Sequence, residues 1–196
     1  FAYEEQKNNV PTALDYTRKA LLLRTELKDT MEQANMYKYQ AYLLGILQNF
    51  SAAKKSAWQA IALYKAKNFG MGVAVSYRDL ATIYEEEHKT DSCIFYYLKA
   101  KTTWKEANGE ISRIYGWNND LLRIYTAGNK IPEAGEIFAE NEAIDATGFY
   151  YTDKLNFYKV SNMYFAKSHD DKMATKYMVK ANNMIDSLRQ KGIKPE

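Results

Sequence analysis

The side chains that could do chemistry in this sequence are few and widely separated. There are two histidines, His88 and His169, and a single cysteine, Cys93. Catalysis needs acid, base or nucleophilic groups that converge on one point. Each histidine instead has acidic neighbours in a short polar stretch, which favours a solvated turn over a metal site. The sequence therefore predicts no enzyme, no cofactor and no metal site.

Composition excludes several other classes of protein. The chain has 196 residues, with 27 Lys+Arg, 24 Asp+Glu and a net charge of +3, which is too small to indicate nucleic-acid binding by bulk electrostatics. The longest apolar run, 41–47, is far shorter than the roughly 20 residues that cross a bilayer, so no membrane insertion is predicted. One cysteine excludes an internal disulfide. The chain begins at Phe1 rather than methionine, which indicates a processed or excised form and leaves the compartment undecided.

A period of 40 to 41 residues organises the sequence. Three rows of residues repeat with this period, and within each repeat they are spaced i, i+4, i+7, which is one face of a helix. Small residues dominate two of the rows, so another helix can approach closely. The rows are Ala13, Ala53, Cys93, Ala134 and Ala174; Thr17, Ala57, Tyr97, Phe138 and Met178; and Ala20, Ala60, Ala100, Asn141 and Ala181.

Another helix precedes this one in each repeat, because an upstream set of residues has the same i, i+4, i+7 spacing. The upstream helix is the first helix of its repeat, and the helix with the small residues is the second. The first row of the upstream set is Tyr37, Tyr77, Asn118 and Tyr158. Each repeat is therefore predicted to be a helical hairpin. Helices are expected at 11–29, 32–48, 50–68, 71–88, 91–107, 110–128, 131–146, 150–168 and 171–191.

Turn residues have the same period. Gly70, Gly109 and Gly148 each follow a second helix, where we expect the left-handed conformation that glycine adopts without strain. The second helices are predicted to begin at Pro11, Ser51, Asp91 and Pro132, residue types that suit a first turn or a cap.

The residues of these rows resemble the tetratricopeptide repeat (TPR) family. The strongest match is Tyr77 to Tyr84 with Cys93, Tyr97 and Ala100, and the next repeat matches through Leu121, Tyr125, Ala134 and Phe138. That repeat departs at Leu122 and Asn141, where the family has small residues. The resemblance covers nearly the whole chain, although the family's unit is nearer 34 residues. We therefore expect the second helices to be extended by one to two turns.

The resemblance implies an all-α, right-handed superhelix, or solenoid, formed as a single array. Its units are expected at 1–33 (truncated), 34–73, 74–114, 115–154 and 155–191, with 192–196 as a tail or linker. An incomplete first unit leaves an apolar face bare. The native protein is therefore expected to continue upstream. We also expect self-association through residues such as Leu14 and Leu21, unless Phe1 to Tyr3 cover that face.

The resemblance also implies that the first helices line a concave groove that binds a protein or peptide. Several of the exposed positions are cationic, which favours a ligand with carboxylate groups. Asp79 and Asp120 lie beside them and indicate a ligand of mixed charge. The predicted groove residues are Lys38, Tyr42, Arg78, Thr82, Asn119, Arg123 and Lys159.

Other functions stay open at this point. The carboxylate clamp of chaperone-tail-binding TPR domains is disfavoured, because Tyr42, Asp79, Gly116 and Asp120 stand where the clamp needs asparagines and cations. Residues 51–78 are basic but 133–145 are acidic, which suits protein contacts better than a duplex. The alternatives to a peptide-binding module are a sensory or regulatory array of a bacterial protein, and a surface-exposed scaffold or substrate-binding protein.

Overall fold

The computed structural model describes the backbone of residues 2–194 and the side chains of residues 9–194. Throughout that range the regular structure is helical, as expected for an all-α repeat protein. The helices divide into two compact units, one ending at Gly109 and the other beginning at Glu110. Their bounds are α1 (Ala2–Glu26), α2 (Thr30–Ile46), α3 (Phe50–Ala66), α4 (Gly70–Glu86), α5 (Thr90–Glu106), α6 (Ile111–Ala127), α7 (Ile131–Glu142), α8 (Tyr151–Lys167) and α9 (Asp171–Gln190).

The first unit consists of α1 to α5, and each helix packs against the next. The hairpins α2–α3 and α4–α5 span 30–66 and 70–106, where units were expected at 34–73 and 74–114. Helices α2 and α4, the first helices of the two hairpins, also touch each other. Ala53, Ala60 and Cys93 occupy the predicted small positions, and their small side chains let the helices pack closely. All three are completely buried.

The second unit consists of the hairpins α6–α7 and α8–α9, and α6 packs on α8. Ala134 is completely buried and Ala174 nearly so, as their repeat position predicts. One row is out of register in α9, where Met178 is 47% exposed and the preceding Tyr177 is fully buried. Tyr177 packs against Phe138 and Phe165, with ring centroids 5.6 Å away in both cases, so in this middle row the aromatic cluster buries Tyr177 in place of Met178, while Ala174 and Ala181 stay buried.

Several helix lengths and starts differ from expectation. Helices α2, α3, α4 and α5 all have 17 residues, so the first and second helices of these hairpins are equally long. Helix α7 ends at Glu142 rather than 146. Helix α1 runs continuously through Pro11 instead of beginning there. Val10 and Leu14 flank this proline and are buried on one helical face, and their packing offsets the backbone hydrogen bond that proline removes.

The turns between helices use non-glycine residues in the left-handed conformation. The residue after each such position donates its N–H to the carbonyl five residues earlier, as in Phe69 to Tyr64 at 2.9 Å, which is a Schellman motif. The left-handed residues recur about every 20 residues, have φ from 53° to 60°, and are Lys28, Gln48, Asn68, His88, Asn108, Asn129 and His169.

Two of the three predicted left-handed glycines therefore have another role. Gly148 has a φ of 83°, as expected. Gly70 is the first residue of α4, and a Cβ there would lie 2.9 Å from the Cβ of Ala107. A Cβ on Gly109 would lie 2.2 Å from the Trp104 ring. At both positions the absence of a side chain permits close packing rather than a special backbone angle.

Helix caps also differ from the predicted ones. The Asn49 side chain caps α3 by accepting the N–H of Ala52, so Ser51 lies inside the first turn. Asp29 and Asp170 cap α2 and α9 in the same way. The sequence predicts the first residues of these helices to within two positions. It does not decide which residue is the cap, because several polar residues near each turn are suitable.

A buried amide cluster explains where the third full repeat departs from the pattern. The Nδ2 of Asn118 donates to the Oδ1 of Asn141 at 2.9 Å, and the Nδ2 of Asn141 donates to the Tyr115 carbonyl and to the Oδ1 of Asn119. Asn118 and Asn141 stand 23 residues apart, as Tyr77 and Ala100 do in the preceding repeat. Asn118 and Asn141 are therefore one paired change, which keeps the polar groups hydrogen-bonded, whereas the departure at Leu122 is not part of the cluster.

Candidate functional site

The predicted groove residues of the first unit lie on α2 and α4, the helices that touch. Lys38 and Tyr42 lie one turn apart on α2, and Arg78 and Thr82 do the same on α4. Tyr42 is 57% exposed, and the other three are half-buried. Because both helices are first helices of hairpins, their exposed faces meet along one seam.

A pocket of about 230 Å³ lies on this seam. Three predicted residues line it, namely Tyr42, Arg78 and Thr82, whereas Lys38 lies outside its lining. Gly45 lines it, and a Cβ there would lie in ordinary contact with Ile83, at 3.9 Å. The remaining lining residues are Ala41, Ile46, Gln48, Asp79, Ile83 and Glu86.

Charge in the pocket centres on Arg78 and Asp79. A guanidinium Nη2 of Arg78 lies 3.5 Å from the Oδ1 of Asp79, whose side chain is 17% exposed. Burial raises the pKa of Asp79 above its ordinary value, and the charges of Arg78 and Lys38 act in the opposite direction. The Nε of Arg78 is buried, and no acceptor for it exists among residues 9–194. A charged donor is therefore left unsatisfied at the pocket.

Tyr64 of α3 supports the pocket from the core. Its hydroxyl donates to the Oδ1 of Asn35 at 2.6 Å, and Asn35 in turn donates to Glu32. Burial raises the pKa of Tyr64 to about 12, with smaller contributions from the negative charges of Asp79 and Glu32. The tyrosine therefore stays protonated and holds α3 against α2.

An exposed pair of rings extends the site along α2. Tyr39 and Tyr42 have ring centroids 6.3 Å apart and nearly parallel planes, at 24°. Tyr39 is 45% exposed. The repeat pattern selected Tyr42 but not Tyr39, although residues three apart on a helix are surface neighbours and their side chains can touch.

In the second unit, one predicted groove residue is wrong. Asn119 is completely buried, where it donates to the Asp153 carbonyl at 2.9 Å and accepts from Asn141. It belongs to the amide cluster and not to a ligand-binding surface. Arg123 is half-buried on α6 and Lys159 is exposed on α8, and their role in binding stays a prediction.

The two histidines lie in turns, and the cysteine lies in the packed interior. His88 and His169 are both exposed and both take the left-handed position of their turns. Cys93 is a buried free thiol. No group of three or more His, Cys, Asp or Glu side chains that could hold a metal ion is found in the part of the chain that the structure describes. Among the described helices, none has the length and apolar character needed to cross a membrane.

Comparison with solved structures identifies the fold. Two crystal structures of a putative kinesin light chain from Podosopora anserina, with nearly identical TPR-like repeats, superpose with TM-scores of 0.73 and 0.72 at 12% and 13% identity. They cover 96% of this chain and 93% and 94% of theirs. BtubC (BKLC) from P. vanneervenii has a TM-score of 0.68 at 15% identity, covering 96% of this chain and 93% of its own. The fold is TPR-like.

Sequence comparison adds nothing to the fold assignment. No family model matches the chain. No curated protein matches it either. The peptide-binding module, the sensory array and the surface scaffold all stay predictions.

Proposed function

We propose that the seam between α2 and α4 binds a peptide segment of a partner protein, without catalysis. The observation that carries this proposal is the buried, unpaired Nε of Arg78 beside a pocket of about 230 Å³. A ligand carboxylate could supply the acceptor that this Nε lacks once the Arg78 side chain turns to expose it. Such charge-assisted bonds contribute about 1.5–3 kcal/mol each.

The pocket's chemistry selects a ligand of mixed character. Arg78, with Lys38 near its edge, favours a carboxylate, whereas Asp79 and Glu86 favour a cationic group or backbone N–H donors. Ile46 and Ile83 supply apolar surface between the charges. An extended peptide with an acidic residue next to an apolar residue fits this arrangement better than a uniformly acidic one.

Peptide selection tests the proposal directly. Peptides selected on the intact protein would be measured by isothermal titration calorimetry against Arg78→Ala and Gly45→Leu. Arg78→Ala should weaken binding about tenfold or more. Gly45→Leu should block the pocket while favouring the helix, since leucine has a higher helix propensity than glycine.

The two variants separate binding from stability. Arg78 lies beside the buried Asp79, so removing it also costs stability, whereas Gly45→Leu leaves that pair intact. Arg18→Ala, an exposed arginine of α1, is the matched control. Selected peptides that bind both pocket variants as tightly as the wild type would disprove the proposal.

A further inference from the structure

A cluster of touching aromatic rings joins α3, α4 and α5 in the first unit. The Tyr96 ring stacks on Tyr84 with centroids 5.3 Å apart and planes at 1°, and it lies 6.2 Å from Tyr77. The Trp58 ring meets Tyr96 edge-on at 6.1 Å, and Phe95 meets it at 5.0 Å. Rings from three helices are therefore held in one rigid array.

The outer members of this array face solvent. Trp58 is 41% and Phe95 55% exposed, and Leu98, one turn beyond Phe95 on α5, is 39% exposed. Single exposed apolar residues are ordinary on protein surfaces, but a contiguous group is typical of an interaction site. The rings are fixed by their contacts, so little side-chain entropy would be lost on binding.

Lysines surround the exposed rings. The Nζ of Lys99 lies 4.7 Å from the Tyr77 ring centroid and 5.6 Å from that of Phe95. The Nζ of Lys54 lies 4.9 Å from the Tyr84 centroid, and Lys55 beside it is exposed. No Asp or Glu occurs between residues 51 and 78, so α3 supplies no carboxylate to these cations.

One end of the surface carries acid instead. Glu87 binds Lys54 at 2.6 Å and Lys89 at 2.9 Å, and two further glutamates, Glu85 and Glu86, precede it. A long polyanion that continued past this end would meet these carboxylates. The cationic part is therefore short, which suits a peptide better than a nucleic-acid strand.

We propose that the aromatic–lysine patch, formed by Lys54, Lys55, Trp58, Phe95, Leu98 and Lys99, binds a short acidic segment of a partner protein that carries a large apolar side chain. The apolar side chain packs on Trp58 and Phe95, and flanking carboxylates pair with Lys55 and Lys99. This surface shares no residue with the lining of the α2–α4 pocket, so it goes beyond the proposed function and gives the module a second contact.

The test uses a defined probe on the intact protein. A fluorescein-labelled acidic peptide with a central Leu-Phe pair is titrated and followed by anisotropy, with a peptide that has alanines at the centre and an oligothymidylate as comparisons. Tryptophan emission is a second readout, because Trp104 and Trp117 are buried at 8% and 4% exposure whereas Trp58 is exposed. We expect the apolar acidic peptide to bind most tightly and to quench Trp58.

Variants assign the binding to the patch. Lys55→Glu with Lys99→Glu should weaken the probe about tenfold or more, because two attractive contacts become repulsive. Phe95→Ala removes a largely exposed ring, so it should lower affinity while the protein stays folded. Lys167→Glu with Lys172→Glu is the matched control, since it changes net charge equally at exposed positions of the second unit. This control should change affinity less than about twofold.

Each other outcome overturns the proposal. Equal binding to wild type and patch variants, or no binding, excludes the patch as a site for acidic peptides. Tighter binding of oligothymidylate, lost in the lysine variants, assigns the patch to nucleic acid. Self-association that depends on Phe95 assigns it to a second copy. Loss of probe binding in Gly45→Leu places the probe in the α2–α4 pocket, whereas failure of the pocket proposal leaves the patch result unchanged.

Discussion

Asn141 fills a position that carries alanine in the neighbouring repeats. Its amide connects Asn118, Asn119 and the Tyr115 carbonyl, all inside the second unit. A buried polar group costs stability only when it is left without a partner. In this repeat the cluster therefore replaces a close contact at a small residue with a set of directional hydrogen bonds.

Truncating this amide should destabilise the protein. Asn141→Ala leaves Asn118 and Asn119 with fewer partners in a site that water cannot reach, and we expect a loss of about 1–3 kcal/mol in the free energy of unfolding. Urea denaturation followed by circular dichroism measures it. Asn183→Ala, an exposed asparagine of α9, should change stability by less than about 0.5 kcal/mol. Equal effects of the two substitutions would show that the amide cluster contributes nothing.

Asp79 makes stability depend on pH. Its pKa in the folded protein is raised above the ordinary 3.8, so the folded chain holds this proton more tightly than the unfolded chain does. The stability that it contributes is therefore full below the unfolded pKa and is lost as pH rises through the folded pKa.

Replacing this carboxyl should remove that loss. We expect Asp79→Asn to gain stability relative to wild type as pH rises from acid toward neutral. Unfolding curves at a series of pH values measure the difference, with Asp186→Asn, at a carboxylate that is 66% exposed, as the control. Curves for Asp79→Asn and wild type that run parallel across this range would contradict the prediction.

At the scale of the element, a helix ends where both the pattern of side chains and the geometry of the following turn favour an end. Each hairpin turn places one residue in the left-handed region, and asparagine or histidine occupies most of these positions. These residue types adopt that conformation more readily than most others. The helix lengths follow from the regular spacing of these turns rather than from the composition of the helices.

The small positions between helices permit little additional volume. Ala134 on α7 is completely buried, so Ala134→Leu should force neighbouring side chains out of place and cost about 1–3 kcal/mol. Thermal melting measures the effect. Ala139→Leu, at an exposed position of the same helix, should leave the melting temperature nearly unchanged. An unchanged melting temperature for Ala134→Leu would mean that the 40-residue register is misassigned.

At the scale of the whole molecule, helix α1 presents apolar surface that its contact with α2 leaves uncovered. Leu14, which was expected to be either bare or covered by Phe1 to Tyr3, is only 6% exposed. The exposed residues lie on another part of the helix: Tyr16 at 66%, Leu22 at 68%, Leu23 at 55% and Leu27 just beyond its end at 61%. Whether Phe1 to Tyr3 cover this surface lies outside the side chains that the structure describes.

This surface supports the prediction of self-association. We expect sedimentation velocity to show a larger species as protein concentration rises, because an exposed apolar patch of this kind tends to recruit a partner. Leu23→Glu should abolish the larger species by placing a charge at the contact. Thr25→Glu, with an exposed side chain on the same helix, is the control. A single monomeric species across the whole concentration range would exclude the prediction.

The candidate site could be predicted only in part. Tyr42, Arg78 and Thr82 line the pocket, and the resemblance to the TPR family predicted them on the exposed faces of the first helices. The prediction failed at Asn119, whose side chain is held inward by hydrogen bonds to Asn141 of α7 and to the Asp153 carbonyl of α8. The pocket at Gly45 and the unpaired Nε of Arg78 depend on the distance between α2 and α4, which no local pattern encodes.

The sequence by itself determined the hairpins, their period and the small residues between them. These features follow from burial of one helical face, and that face is visible in the spacing of apolar residues along the chain. Only the tertiary structure decided which polar groups are buried, which turn residues are left-handed and where the aromatic rings of α3, α4 and α5 meet. Each of these depends on partners that are distant in sequence, so the packing of helices determines it rather than the residues of any one helix.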